Sequence, residues 1–137
     1  MKVYLSGGIY KDDSAETTNW RAFASARLLT HNIHTIDPCR NKLTYDASKF
    51  TPKEIVTRDH ADISRCDLLL INGNPKGDHL SIGTWCELER AHSLGKPVVV
   101  FSTDERVINH PWVVDYSAKI FETLHEALSY IIEYWRE

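Results

Sequence analysis

The chain has 137 residues, 42% of them hydrophobic, and a formal net charge of −3 at pH 7. This length suits one globular domain with a single core, and the acidic balance excludes a basic surface for extended nucleic acid. The cysteines and histidines show no metal-ligand spacing, so we expect neither a metal nor another cofactor. Without a membrane-length apolar run or a signal peptide, the sequence favours a cytoplasmic protein that binds a small molecule and no membrane.

The first predicted strand runs from Lys2 to Leu5, and Ser6-Gly7-Gly8 ends it. Two adjacent glycines allow the backbone to approach a neighbouring group closely. In an open α/β sheet, ligands bind at the carboxyl ends of the strands, so this segment is either a tight structural turn or a ligand-binding loop. The rest of the dinucleotide-binding motif is missing, and the next helix starts only at Asp13 or Ser14.

The helix that follows is predicted to open with a capping box of Asp13 and Glu16 and to carry an inward stripe. The stripe consists of Trp20, Phe23, Ala24, Arg27 and Leu28. A second strand is predicted from Ile33 to Ile36. The polar segment 39–50 is long for a loop in a compact domain, and such loops are often binding elements.

Thr51-Pro52-Lys53-Glu54 predicts the start of a second helix, with a capping threonine, a proline in the first turn and a glutamate at the capping-box position. The helix is expected to run to about Arg65. Its apolar face carries Ile55, Asp59, Ile63 and Cys66. Asp59 is therefore a carboxylate on an apolar face, where an unpaired charge is costly.

A second inward acid, Glu87, is predicted in the helix that follows the loop after Asn72. Gly83 and Thr84 mark a turn and the helix start, and Gly95 ends the helix. Glu87 shares its face with Thr84, Leu88, Ala91 and Leu94. In the first helical turn the helix dipole favours an ionised carboxylate, which suits a nucleophile. A capping or salt-bridged glutamate is the alternative.

Three further strands and a closing helix complete the predicted fold. They are Asp67 to Asn72, Pro97 to Ser102, Ala118 to Phe121 and Thr123 to Trp135. Strands that alternate with helices predict one α/β domain over residues 1–137, with a doubly wound, parallel, five-stranded sheet of flavodoxin-like or Rossmann-like shape. Within it, two inward acids on separate helices, Asp59 and Glu87, are typical of a paired-carboxylate site.

Taken together, these residues resemble the nucleoside 2-deoxyribosyltransferase family and its relatives that hydrolyse 2′-deoxynucleoside 5′-monophosphates. The resemblance spans most of the chain and depends on the order of several short motifs. They are Tyr4 in Val-Tyr-Leu, Asp59 eight residues before Asp67, Gly83-Thr84-x-x-Glu87-Leu88, Ala91, Gly95-Lys96-Pro97 and Ile108-Asn109.

The resemblance implies that Glu87 is the nucleophile, that Asp59 handles the proton and the sugar contacts, and that Tyr4 holds Glu87 in position. The expected reaction cleaves the N-glycosidic bond of a nucleoside or nucleotide through a covalent deoxyribosyl intermediate, which another base or water resolves. Asn109 resembles an asparagine that reaches a neighbouring subunit's site, so a homodimer or higher homo-oligomer is expected. The expected substrate-binding residues are Ser6, Gly7, Gly8, Ser81, Gly83 and Asn109.

Three residues leave the choice between nucleoside and nucleotide open. Six residues before the nucleophile, where the transferases carry an aspartate, this chain has Ser81, as the 5′-monophosphate hydrolases do. A serine tolerates a phosphate that an aspartate would repel. Tyr10, however, stands where those hydrolases place an arginine, and Asp78 could replace the missing aspartate.

Two other functions stay open at the level of the sequence. One is a non-catalytic nucleotide-binding or signalling domain of flavodoxin-like shape, although a phosphoacceptor receiver would need acidic residues in place of Ser6-Gly7-Gly8 and Asn72. The other is a phosphoribohydrolase, whose Gly-Thr-x-x-Glu motif is similar to Gly83 to Glu87 but follows a Pro-Gly-Gly that is missing here.

Overall fold

A computed structural model describes residues 1–10, 14–40 and 49–137 of the chain. Strands and helices alternate along these residues, as the sequence predicts. The strands are β1 (Lys2–Gly7), β2 (His34–Ile36), β3 (Leu68–Asn72), β4 (Val98–Phe101) and β5 (Lys119–Phe121). The helices are α1 (Ser14–Leu29), α2 (Pro52–Arg65), α3 (Ile82–Ser93), α4 (Glu105–Ile108), α5 (Pro111–Tyr116) and α6 (Leu124–Tyr130), which continues as a π-helical turn (Ile131–Trp135).

The five strands form one parallel sheet in the order β2-β1-β3-β4-β5. This order confirms the predicted doubly wound, flavodoxin-like arrangement. The connections reverse direction between β1 and β3, and the resulting crevice at their carboxyl ends is the usual ligand site in such sheets. Ser6 pairs with Ile71 and Gly7 with Asn72, so the two strands end level with each other.

Successive residues of β1 alternate between the two faces of the sheet, and helices cover both faces. Val3 and Leu5 belong to the core cluster that includes α1 and α6. Tyr4 belongs to the opposite cluster, which includes α2 and α3. Ser6 is two residues further along β1, so its side chain lies on the same face as that of Tyr4.

Sequence signals at two helix ends are confirmed. At the start of α2, the Thr51 hydroxyl accepts a hydrogen bond from the Glu54 amide (3.1 Å), and the Glu54 carboxylate accepts one from the Thr51 amide (2.8 Å). At the end of α3, Gly95 adopts a positive φ of 71°, and the Lys96 amide donates to the Ala91 carbonyl at 2.9 Å. The second pattern is a Schellman motif, which the glycine permits.

Two residues predicted in the core are exposed. Phe23 is 53% exposed, whereas Arg21 is buried on the inward side of α1. Hydrophobic periodicity selects apolar residues for the inward face, so it does not identify a buried arginine. Leu94 is 41% exposed, because α3 ends at Ser93 and the chain leaves the helix there. The predicted capping box of Asp13 and Glu16 and the loop residues 41–48 lie outside what the structure describes.

No helix among the described residues has both the length and the apolar character needed to span a bilayer. Within the same residues, no three histidine, cysteine or acidic side chains come together as metal ligands would.

Candidate active site

Glu87 lies beside the carboxyl end of β1, where two hydroxyl groups hold its side chain. Tyr4 donates a short hydrogen bond to one carboxylate oxygen, and Ser6 Oγ donates to the other at 3.0 Å. Tyr4 and Ser6 reach the same carboxylate because alternate residues of a strand share one face. The predicted contact between Tyr4 and Glu87 is therefore present, and Ser6 is part of it.

The ionisation of Glu87 differs from the sequence expectation. α3 begins at Ile82, not at Thr84, so Glu87 is in the second helical turn, where the helix dipole acts weakly. Burial raises the pKa of Glu87 to about 7, against the opposing effect of the hydrogen bonds from Tyr4 and Ser6. The carboxyl group therefore changes protonation near neutral pH instead of being held ionised by the dipole.

Tyr4 is fully buried and stays a hydrogen-bond donor. Burial is the largest cause that raises the pKa of its hydroxyl above the ordinary range, and the negative charges of Glu87 and Asp59 raise it further. A phenol in this environment keeps its proton at any physiological pH.

Asp59 is half-buried on α2 and acts electrostatically on both members of this pair. Its negative charge raises the pKa of Glu87 and of Tyr4. The two acids that the sequence predicts on separate helices are therefore close enough in the fold to influence each other.

Gly7 and Gly8 form the edge of the same site. A Cβ atom on Gly7 would lie 2.9 Å from the Trp20 ring and 3.2 Å from Asn72 Cβ, so glycine is required by close packing at this position. A Cβ atom on Gly8 would lie 2.3 Å from the Tyr10 hydroxyl, which is the mobile end of a side chain. The close packing at Gly7 agrees with the alternative of a tight structural turn, whereas Gly8 borders the Tyr10 side chain.

Ser81 is the residue that precedes α3, and its hydroxyl accepts a hydrogen bond from Thr84 Oγ1 at 2.8 Å. It lines a cavity of about 10 Å³ together with Gly8, Tyr10 and Asn74. This space is too small for a sugar or a phosphate. Ser81 is thus half-exposed beside the site, at a cavity that Tyr10 helps to line.

The Tyr10 ring has two neighbours on the loop after β3. Lys76 Nζ lies 5.4 Å from its centroid, and the His79 ring packs edge-on at 6.1 Å. The Tyr10 backbone is fixed, since its amide donates to Thr17 Oγ1 at 2.8 Å and its carbonyl accepts from the same hydroxyl at 3.2 Å. The Tyr10 ring is one of the groups that line the cavity at Ser81, so its position affects the size of that cavity.

Three other residues singled out in the sequence lie at the surface. Gly83 is exposed, with open space around the position of a Cβ atom. Asp78 is exposed and lies 3.7 Å from Arg106, so it is turned toward that cation. Asn109 is exposed at the end of α4.

Sequence reasoning missed two buried charges near the site, Asp62 and Arg21, each 1% exposed. Asp62 is one turn after Asp59 on α2 and forms ion pairs with Arg40 and Arg65, both at 2.6 Å. Asp62 stands next to Ile63 on the inward side of the helix, which is the local signal that could have identified it. No local signal marks Arg21, because the Gly7 carbonyl and Asp37, with which it bonds and pairs, lie far from it in the sequence.

The described residues thus form a doubly wound α/β domain with a half-buried carboxylate at the crevice between β1 and β3. The chain belongs to the nucleoside 2-deoxyribosyltransferase family, whose family model matches residues 3–128. The resemblance seen in the sequence is thereby confirmed. Membership indicates a transferase or N-glycosidase that processes nucleosides.

Solved structures with a similar fold include a 2-deoxyribosyltransferase from Bacillus psychrosaccharolyticus (21% identity, TM-score 0.73), which aligns over 95% of this chain and 92% of that one. A 2-desoxiribosyltransferase from Leishmania mexicana (19%, 0.73) aligns over 97% of both chains. A CMP N-glycosidase from Clostridium botulinum (18%, 0.65) aligns over 98% of this chain and 100% of that one. At these identities the likeness is one of fold. Comparison with curated protein sequences gives no significant match.

Proposed function

We propose that this protein cleaves the N-glycosidic bond of 2′-deoxynucleosides or their 5′-monophosphates through a covalent deoxyribosyl intermediate on Glu87. The observation that carries the proposal is the Glu87 carboxylate, which Tyr4 and Ser6 hold at the crevice between β1 and β3. The family to which the chain belongs supports this chemistry.

In the first step, a Glu87 oxygen attacks the anomeric carbon, and the electron pair of the C–N bond leaves with the base. The base takes a proton from Asp59. The negative charge of Asp59 disfavours a second charge on Glu87. The hydroxyl donors Tyr4 and Ser6 favour the charged form of Glu87, which is the form that a nucleophile requires.

In the second step, water or a second base attacks the anomeric carbon and displaces Glu87 as a carboxylate. Asp59, now ionised, takes the proton of the incoming nucleophile and returns to its starting state. Hydrolase and transferase differ only in the nucleophile that enters. Because Tyr4 keeps its proton throughout, it serves as a fixed donor to Glu87 and takes no part in proton transfer.

We infer that the preferred substrate carries a 5′-phosphate. Ser81 brings no negative charge to the start of α3, and Lys76 lies beside Tyr10 at the cavity that Ser81 lines. Asp78, the candidate replacement for the transferase aspartate, is turned toward Arg106. The amides of the helix start at Ser81 provide a favourable environment for an anion.

We further infer that the active protein is a homodimer or a higher homo-oligomer. Trp112 and Val114 on α5 are 58% and 53% exposed, and a groove of about 350 Å³ lies beside them. The groove is lined mainly by apolar residues, including Leu80, Trp85, Leu88, Val107, Trp112 and Val113. If a second copy of the chain covers this apolar face, the residues around the groove, including the exposed Asn109, become part of the interface. Light scattering that finds a fully active monomer contradicts this inference.

The decisive experiment incubates the protein with matched pairs of 2′-deoxynucleosides and 5′-monophosphates, with and without a second free base, and measures base release by chromatography. Intact-protein mass spectrometry of quenched reactions should detect one added deoxyribosyl group, and Glu87→Gln should abolish both the adduct and base release. Glu133→Gln is the control, because Glu133 is exposed and lies outside the groove beside α5. Turnover by Glu87→Gln at the wild-type rate would refute the mechanism.

Ser81→Asp tests the 5′-phosphate separately. An aspartate close to a phosphate dianion costs on the order of a few kcal/mol at a partly exposed site, so cleavage of monophosphates should fall much more than cleavage of nucleosides. An equal loss for both substrates would mean that Ser81 serves only as the residue at the start of α3. A wild-type preference for free nucleosides would contradict the phosphate inference directly.

A further inference from the structure

Arg21 is a fully buried cation next to the candidate site. Its guanidinium donates to the carbonyl of Gly7 at 2.9 Å and to that of Thr17 at 2.5 Å, and Nε lies 3.6 Å from an Asp37 oxygen. The guanidinium also stacks over the Trp20 ring, 4.7 Å from its centroid. A buried arginine is rare because removing its charge from water is costly, so its place needs an explanation.

The contacts of Arg21 join α1 to the carboxyl ends of β1 and β2. The carbonyl that it holds belongs to Gly7, and the preceding residue, Ser6, donates the hydrogen bond to Glu87. A Cβ atom on Gly7 would lie 3.5 Å from Arg21 Nη2, so the guanidinium is packed directly against this backbone. Arg21 therefore fixes the segment that carries one of the two donors to Glu87.

The charge of Arg21 acts on the same carboxylate. Its partner Asp37 is 3.6 Å away and about a third exposed, which leaves the positive charge only partly compensated. Burial raises the pKa of Glu87 and so does Asp59, whereas Arg21 lowers it. Among the residues that the structure describes, Tyr4 from β1, Asp59 from α2 and Arg21 from α1 are the titratable or charged groups that act on Glu87.

We propose that Arg21 is a positioning residue that holds Ser6 and Gly7 against Glu87 and supplies the buried positive charge that favours the ionised nucleophile. The proposal rests on the role of Glu87 in the proposed function. The two roles of Arg21 can be separated, because a glutamine keeps a donor for the Gly7 carbonyl without the charge, and a lysine keeps the charge without the planar fork.

The test compares Arg21→Gln, Arg21→Lys and the control Arg27→Gln. Arg27 is on the same helix but bonds to His125 and Ser129 on α6. Circular dichroism and thermal unfolding verify the fold of each variant. The acid limb of the kcat/KM profile and the infrared titration of the Glu87 carboxyl band, assigned with Glu87→Gln, then report the ionisation of Glu87.

For Arg21→Gln, loss of a nearby cation should move the acid limb and the infrared midpoint to higher pH by roughly half a unit to one unit. At pH values below the limb this corresponds to a roughly three- to tenfold lower kcat/KM relative to the plateau. Arg21→Lys should leave the midpoint in place and lower kcat through looser positioning of Ser6. Arg27→Gln should change neither quantity.

An unchanged midpoint in folded Arg21→Gln overturns the proposal. If that variant does not fold, a shift of half a unit or more in Arg21→Lys overturns it instead, because the charge is retained there. The infrared titration needs no substrate, so it still tests the proposal about Arg21 if the protein releases no base from any substrate, a result that would refute the proposed function alone.

Discussion

Two carboxylates lie on the same face of the sheet, Asp62 buried and Glu87 half-buried, and their surroundings are opposite. Glu87 on α3 receives hydrogen bonds from two neutral hydroxyl groups of β1, and burial raises its pKa to about 7. Asp62 on α2 receives two bonds from Arg40, at 2.6 and 2.9 Å, and one from Arg65 at 2.6 Å. Burial would raise the pKa of Asp62, but the two arginines hold it below its usual value.

The difference separates an anchoring carboxylate from the proposed nucleophile. The ion pairs with Arg40 and Arg65 favour the ionised form of Asp62, so its role is to tie the chain after β2, through Arg40, to α2. Glu87 has donors that orient it without neutralising its charge. A half-buried acid that can change protonation near pH 7 at a ligand crevice has the properties of a catalytic group, whereas a compensated acid has those of a structural one.

The largest expected effect is the difference in activity between variants of the two acids. Glu87→Ala should lower kcat for base release by roughly ten-thousandfold or more, because the nucleophile itself is removed. Asp62→Asn, assayed where it remains folded, should keep kcat within about tenfold of the wild type. Chromatographic assays of both variants check this contrast, and comparable losses in both would remove it.

The stability of the fold should depend more on Asp62 than on its exposed partner Arg65. Asp62→Asn should lower the free energy of unfolding by roughly 3 kcal/mol, because it leaves two arginines without their buried counter-charge. Arg65→Gln should cost no more than about 1 kcal/mol, since the Arg65 side chain is 55% exposed. Urea denaturation followed by circular dichroism measures both. If the two variants are equally stable, the buried ion pair does not anchor α2.

Asp59 should behave as a catalytic acid, unlike Asp62 one turn away. Asp59→Asn should slow release of an ordinary base by roughly a hundredfold, as expected for the loss of general acid help. Release of 7-methylguanine from 7-methyl-2′-deoxyguanosine should slow much less, because that base leaves without needing a proton. Parallel assays with the two substrates measure the difference. Equal slowing of both would assign Asp59 to sugar binding alone.

The smallest expected effect is a pH-dependent gain in stability on removal of the Glu87 charge. Its folded pKa of about 7 exceeds the ordinary value of 4.5, so its stabilising contribution is complete below pH 4.5 and is lost as the pH rises through 7. Glu87→Gln should therefore be more stable than the wild type by roughly 2 kcal/mol at pH 8, and by little at pH 5.

Glu133→Gln provides the reference for that measurement, since Glu133 is exposed and lies outside the groove beside α5. Urea denaturation at both pH values should give no comparable pH-dependent gain for this control. A Glu87→Gln variant that is less stable than the wild type at pH 8 would contradict the raised pKa. The comparison with Asp62, where removal of the charge destabilises, would then lose its basis.

The sequence by itself determined the order of elements and the two inward acids. Unbroken apolar runs marked β3 and β4, and Thr51 with Glu54 marked the start of α2, because these signals depend on neighbours within a few residues. The short helices α4 and α5 were not predicted. The inward positions of Asp59 and Glu87 followed from helical periodicity, which is also a local property.

Only the tertiary structure decided what each buried charge does. Ser6 and Tyr4 are 81 and 83 residues from Glu87 in the sequence, and Arg40 is 22 residues from Asp62. Helical periodicity identifies an inward acid, but it gives neither the partners of that acid nor the extent of its burial, and both of these set its pKa. The expectation that the helix dipole keeps Glu87 ionised was wrong for this reason, since burial outweighs the dipole once the fold removes the carboxylate from water.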